Sequence, residues 1–443
     1  MNPAANCNVQ RLSAAVCLTF LIGGAPVSIV HAQTSSTLPQ AADQFVPGKL
    51  MFSEAEERLY LERFQKGQAG QRSTANEAYD PQEAVPGAAN WTPLPAVSPD
   101  QRTISAEAIA KAADYAAKNN SDSFIIWRKG KIEADAYFGG HAKDQPVISR
   151  SLAKPVTAAA IGRAIVLGKI KSLDQPVAEI VTEWRADARK SKILIRHLLD
   201  MRTGFLPQSG APEAADILNR SYLHPRHDEI ILKEYPVVDE PGSRYEYNNA
   251  TSEMVAILIE RATGRRYAEF ISTEIWQKIG ALGGTVWINR EGGVAHSGCC
   301  LMVPAENFVR LAMLFLADGS WAGQRLLPNG YVKQMIMPTK ENPYYGLGVY
   351  VAGRYIERRG AANPDRPTPK TLHSEPYLAD DLYLFDGNAN QVVYIVPSEQ
   401  LIVLRTGNNP PRAQGQEWDN AYLPNAILRG ITAAKGTSKP QAR

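Results

Sequence analysis

What the chain lacks narrows its function before any motif is read. Four cysteines in 443 residues cannot make a disulfide scaffold. A formal net charge of +3, with no polybasic block, leaves no electrostatic footprint for nucleic acid. Aromatic residues make up 8% and charged residues 21%, ordinary shares that exclude a disordered, collagen-like or coiled-coil chain. No internal repeat is visible. A single long apolar run exists, and it lies near Met1.

That run reads as a secretory signal. Met1 to Gln10 is polar, Arg11 carries the positive charge, and Ser13 to Val30 has almost no polar side chains. Val30-His31-Ala32 presents small residues where signal peptidase reads them, so cleavage is predicted before Gln33. Gly23, Gly24 and Pro26 weaken the rival reading, a retained membrane anchor. Residues 1–32 are read as signal peptide. The mature chain is then periplasmic or secreted, with no stable membrane insertion. Cleavage removes Cys7 and Cys17 and leaves 47 basic against 45 acidic residues. Cys299 and Cys300 remain. Adjacent cysteines seldom bridge without backbone strain, so a packing role is expected for both.

Residues 33–104 read as a Pro-rich extension, strapped over a domain surface or serving as a linker. Its one helical stretch is Glu54 to Gln65, and Trp91 and Leu94 are its candidate anchors. From Ser105 the signals turn regular. Ala106 to Lys118 is an Ala-rich helix. Ser123 to Arg128 and Ile132 to Phe138 form a hairpin over Lys129-Gly130-Lys131. Helices are predicted over Pro155–Leu167, Ile193–Met201, Thr251–Thr263 and Ala305–Ala317. Gln391 to Val396 and Leu401 to Arg405 close the chain as a second hairpin. Strands, a long helical middle, then strands again suit class α+β: an antiparallel sheet flanked by helices plus a mostly helical subdomain. Residues 105–435 form this domain and 436–443 a disordered tail. Arg354 to Asp380 is polar and rich in proline, a candidate loop over a cleft.

Several chemistries are absent. Gly162 to Lys169 is one residue too long for a phosphate loop and ends in Ile where magnesium needs Ser or Thr. No H-E-x-x-H occurs, and His224 with His227 reads as a surface pair without a third ligand. No G-x-S-x-G elbow occurs. No metal or cofactor is expected.

What is present is Ser151-Leu-Ala-Lys154. Ser and Lys at i, i+3 share one helix face. A serine hydroxyl is a weak nucleophile until a base takes its proton. A lysine serves as that base where burial or a cationic neighbour lowers its pKa. About ninety residues on, Tyr245-Glu-Tyr247-Asn248-Asn249 follows the Pro241-Gly242 turn and opens an amphipathic helix. Tyr-x-Asn can deliver a phenol and an amide into one site, the phenol serving first as base and then as acid. Tyr247 is preferred to Tyr245 for its register with Asn249.

Ser151-x-x-Lys154, Leu198 to Gly204 and Tyr247-x-Asn249, in that order, resemble the serine β-lactamase-related hydrolases. These include class C β-lactamases, D-alanyl-D-alanine peptidases, family VIII esterases and 6-aminohexanoate-dimer hydrolases. Tyr345-Gly-Leu-Gly348 and the closing hairpin fit the same pattern, and the resemblance runs from Ser105 to Thr432. It implies a β-lactamase/transpeptidase-like fold, with Ser151 as acyl-accepting nucleophile and Lys154 and Tyr247 as proton-transfer pair. Asn249 would orient Lys154 or the substrate. The family's Lys-Thr-Gly strand is missing. Its place falls on Phe385 to Gln391, closer to the Gly-x-x-Gly-Gln of the amide-dimer hydrolases, with Asn390 for the second Gly. The resemblance implies an oxyanion hole from the amides near Asn388 and of Ser151, and it places Ser297, Gly387 and Asn390 in the substrate pocket. Asp386 reads as a solvated strand-end acid. Without that lysine, a small or linear amide or carboxylic ester is the expected substrate. D-alanyl peptide cleavage, β-lactam hydrolysis and a non-catalytic wall-binding role are the alternatives.

Overall fold

The computed structural model describes residues 50–68, 79–208, 213–360, 370–411 and 417–436, with side chains to 431. The expected signal peptide, Cys7 and Cys17 lie outside them, as does most of the expected tail. No helix among the described residues is long and apolar enough to cross a membrane.

The fold is α+β. Six antiparallel strands form the main sheet, in the order Lys131–Tyr137, Ser121–Arg128, Leu401–Gly407, Gln391–Val396, Tyr383–Gly387, Tyr350–Val351. Successive side chains of a strand point to opposite faces, so the near-continuous apolar runs of Gln391–Val396 and Leu401–Gly407 need cover on both. Phe124, Ile126, Val392, Tyr394, Leu401 and Val403 face one layer, the helices Ala106–Lys118 and Tyr422–Gly436. Ile125, Trp127, Val393, Ile395, Ile402 and Leu404 face the other, which holds the helices Ala153–Val166 and Glu306–Leu316. The helices Ala106–Lys118 and Tyr422–Gly436, far apart in sequence, thus meet on one face of the sheet. The remaining helices, among them Asn249–Thr263 and Tyr267–Ile271, pack beside the second layer as the helical subdomain.

A second antiparallel sheet runs Gln82–Val85, Gly284–Trp287, Leu301–Pro304, Pro146–Ile148. The segment before Ser105 therefore does more than strap the surface, since it supplies an edge strand paired with Gly284–Trp287. Its helix, Glu54–Gln68, docks through buried Tyr60 and Arg63, and Leu94 is buried while Trp91 is half-buried. Part of the Arg354–Asp380 segment is a two-stranded ribbon, Arg358–Gly360 with Lys370–Leu372.

Candidate active site

The SxxK pair sits where a short 3-10 turn, Arg150–Leu152, runs into the helix Ala153–Val166. Arg150 enters that turn with φ +48, a left-handed conformation costly for a non-glycine residue. Ser151 is half-buried and Lys154 is buried at 3% exposure. Lys154 Nζ donates to Ser151 Oγ at 3.0 Å, to Asn249 Oδ1 at 3.3 Å and to the Gly298 carbonyl at 3.0 Å. All three ammonium protons thus have acceptors. Tyr247 Oη donates to the same Ser151 Oγ at 2.7 Å, and the ammonium stands 4.8 Å from the Tyr247 ring centre.

Local sequence explains the delivery of these groups. Asn248 caps the helix Asn249–Thr263, its side chain accepting from the Thr251 amide. That leaves Asn249 on the turn facing Lys154. Tyr345 stands edge-on to Tyr247 at 6.3 Å. Gly348 has φ +75, and a Cβ there would lie 3.0 Å from the Lys154 carbonyl, so only glycine lets that loop close against the helix. Tyr245 points elsewhere, into an aromatic cluster with Tyr345 at 5.4 Å.

The strand Tyr383–Gly387 ends against the nucleophile. A Cβ on Gly387 would lie 3.3 Å from the amide nitrogens of Ser151 and Leu152. The chain then turns through exposed Asn388, with Ala389 at φ +66 and Asn390 at φ +56. Asn tolerates the left-handed region better than other non-glycine residues, which accounts for Asn390 in a place where the resembling pattern has Gly. From beneath, fully buried Arg405 donates to the carbonyls of Ala389 (2.5 Å) and Asn390 (3.2 Å), and to those of Asn119 and Asn408. Burial pulls its guanidinium down to about 10. Gln391 Nε2 donates to the Ile148 carbonyl at 2.8 Å and fixes the start of the next strand.

A cavity of about 740 Å³ opens beside these groups, lined by Arg63, Tyr79, Arg150, Tyr222, Trp287 and Asn388 among others. Ser151, Lys154 and Tyr247 are not in its wall; it adjoins them through Arg150 and Asn388. Arg150 Nη1 donates to Tyr79 Oη at 2.5 Å.

Several expectations need correction. Ser297 does not line a pocket: it is 1% exposed, and its hydroxyl donates to the Ser252 carbonyl and accepts from the Ala256 amide. Cys299 and Cys300 are disulfide-bonded to each other, and Tyr222 Oη reaches both sulfurs. His224 and His227 are no surface pair, since both are fully buried. Asp386 is not a solvated acid. It lies in a small pocket with Arg359, His373 and Tyr350, and burial pushes its carboxyl up to about 7. Trp276 is core, whereas Trp287 both packs and faces the cavity.

The sequence also gave no warning of a buried trio, His227, Glu253 and His296, each wholly inaccessible. A glutamate within the otherwise apolar stretch of the helix Asn249–Thr263 was the available signal. Their donor atoms lie within 4.8 Å of one another, and the two imidazoles stack at 4.3 Å, 18° from parallel. His296 stacks in turn on Trp287 at 3.8 Å. Burial holds His227 down at about 3 and His296 well below the usual histidine range, so both rings are neutral at physiological pH.

A half-buried serine within reach of a buried lysine and a phenol, on an α+β scaffold of this topology, defines a serine hydrolase with the β-lactamase/transpeptidase-like fold. Residues 107–424 match the family model described as Beta-lactamase. The chain belongs to that family. A curated relative, the 6-aminohexanoate-dimer hydrolase of Paenarthrobacter ureafaciens, is 24% identical over 228 residues. The alignment covers 49% of this chain and spans only 57% of that protein's length. Among solved structures, a Bacillus anthracis protein described as a candidate 6-aminohexanoate-dimer hydrolase superposes with a TM-score of 0.63 at 18% identity, covering 88% of this chain and all of that one. A candidate β-lactamase from Bacteroides dorei gives 0.56 at 18% identity, over 75% of this chain and 98% of the other. These superpositions establish the fold.

Proposed function

We propose that this protein is an exported serine hydrolase that opens a small or linear amide or carboxylic ester through an acyl-enzyme on Ser151. The observation that carries the reading is the convergence of Lys154 Nζ and Tyr247 Oη on one serine oxygen, at 3.0 and 2.7 Å. Whichever of the two has lost its proton accepts the one from Ser151 Oγ as that oxygen attacks the substrate carbonyl. The carbonyl electron pair moves onto oxygen, toward the amides of Ser151 and Asn388 as oxyanion hole. Collapse breaks the C–N or C–O bond, and the leaving group takes a proton from Tyr247. Water then attacks the acyl-serine, giving the acid and restoring Ser151. Asn249 orients the Lys154 side chain throughout.

The missing Lys-Thr-Gly supports the amide or ester choice. The strand beside Ser151 ends in Gly387-Asn388, without the lysine that the family's Lys-Thr-Gly would place there for the carboxylate of a β-lactam. The Paenarthrobacter relative is, by name, a hydrolase of an amide dimer. The amino-terminal signal pattern supports export.

The test is to incubate the mature chain and Ser151→Ala with a fluorophosphonate probe, a short acyl ester and amide panel, and nitrocefin. Labelling of the unmodified chain alone, with ester or amide turnover and no nitrocefin hydrolysis, is the expected result. Equal labelling of both proteins overturns the nucleophile assignment. Nitrocefin turnover without ester or amide turnover overturns the substrate class. Labelling without any turnover favours a binding role.

A further inference from the structure

Asn249 and Glu253 stand four residues apart on the helix Asn249–Thr263 and share a face. Asn249 Oδ1 reaches the Lys154 ammonium directly. Glu253 reaches the same neighbourhood through Gly298, whose carbonyl accepts from Lys154 Nζ at 3.0 Å. A Cβ on Gly298 would lie 3.0 Å from Glu253 Oε1 and 2.7 Å from Ser252 Cβ. Only a bare glycine lets the carboxyl lie against the residue that holds the ammonium.

Glu253 is fully buried, and neither of its oxygens closes a hydrogen bond. The amides of Ser297 and Gly298 face it and favour its charged form. His296 Nδ1 lies 3.6 Å from Oε2. The titratable groups facing it from the elements around are Lys154, His227, His296, Tyr222 and Tyr267. Both histidines are neutral, and burial holds both phenols protonated. Lys154 is then the one cation among these groups. A fully buried carboxylate is costly unless an opposite charge compensates it.

We propose that Glu253 is a positioning residue of the catalytic pair: its carboxylate, seated against Gly298, is the counter-charge to Lys154, and its charge state sets the proton balance of Lys154 and Tyr247. This rests on the reading of that pair as the proton acceptor from Ser151. The mechanism does not otherwise use Glu253, which touches neither Ser151 nor the cavity. Burial also pushes its carboxyl up to about 7, so the charge behind the site changes across the neutral range.

The test is the pH dependence of the second-order rate at which a fluorophosphonate labels Ser151, which needs no known substrate. Removing a buried negative charge favours the deprotonated form of either member of the pair. The acid limb of Glu253→Gln should therefore move down by about one pH unit, with unchanged labelling stoichiometry. Glu253→Asp keeps the charge and should fall between the two profiles. A side chain that only fills space would alter stability and leave the limb in place. A limb in Glu253→Gln that superimposes on that of the unmodified chain overturns the proposal. Should Glu253→Gln not fold, Glu253→Asp carries the test: a shifted limb supports the proposal and an unshifted one overturns it. Failure of the underlying reading is separately visible, because the unmodified chain would then not label, or Ser151→Ala would label equally.

Discussion

Tyr247 Oη lies 2.7 Å from Ser151 Oγ although 96 residues separate them. Lys154 reaches the same oxygen from one helical turn away. Residues that act as a unit are not additive. Tyr247→Phe and Lys154→Ala should each lower kcat on an activated ester by about 10²-fold or more, and the double variant by little beyond the worse single one. Steady-state kinetics of the three variants check this. Two effects that multiply in full would separate Tyr247 and Lys154 into independent roles.

Gly387 has φ −133, which any residue can adopt, so only space bars a side chain. The Cβ of Gly387→Ala would meet the amide nitrogens of Ser151 and Leu152 at 3.3 Å. The strand end must retreat by a few tenths of an ångström, taking the Asn388 amide with it. Loss of one oxyanion donor typically costs about 10²-fold in kcat. Thermal unfolding should change little while kcat falls and the affinity for substrate holds. Unchanged kcat would remove the 387–388 segment from the site.

Arg405 grips the 388–390 turn from below, and no carboxylate lies within its salt-bridge reach among the described residues. Arg405→Met would leave the carbonyls of Ala389, Asn390, Asn119 and Asn408 without this donor. A loss of about 3 kcal/mol in stability is expected, together with a fall in kcat. Urea unfolding and kinetics on the same preparation check both. A destabilised variant with full kcat would show that the turn does not depend on the guanidinium.

Burial keeps His197, His224 and His373 neutral down to about 4, His227 down to about 3, and His296 well below 6.5. Above pH 6.5 folded and unfolded chains both hold these rings neutral, and they contribute nothing to the pH dependence. Below it the unfolded chain takes up protons that the folded chain refuses, so stability falls as pH drops from 6.5 toward 4, by about 1.4 kcal/mol per pH unit for each ring. Glu253 and Asp386 act the other way. Raised to about 7, they hold protons in the fold that the unfolded chain releases. The histidines outnumber them, so the urea midpoint should be lower at pH 5 than at pH 7.5. Equal midpoints would contradict neutral buried rings.

Much of this protein was legible in its residues. The hairpins at 121–137 and 391–407 follow from apolar runs around Gly130 and Pro397, which are near-continuous because a sheet covered on both faces needs apolar side chains on both. The helix predicted over Thr251–Thr263 forms as Asn249–Thr263 and stops at Gly264, at φ +71. The Ser151–Lys154 pair follows from helical pitch alone, and the order of the motifs carried the family. All of these are relations within a few residues or in simple succession.

Tertiary structure decided what depends on distance between remote segments. Tyr247 and Tyr245 both stand against Tyr345, at 6.3 and 5.4 Å, and it is Tyr247 whose phenol reaches Ser151 Oγ. Arg405 ends a strand in the sequence and becomes the clamp of a turn only once Leu401–Gly407 pairs with its neighbours. His227, Glu253 and His296 come from three segments, and their burial cannot be read from their polarity. Periodicity reports which face of an element is apolar; which polar groups meet there, and at what cost in lost water, is settled by how the elements pack.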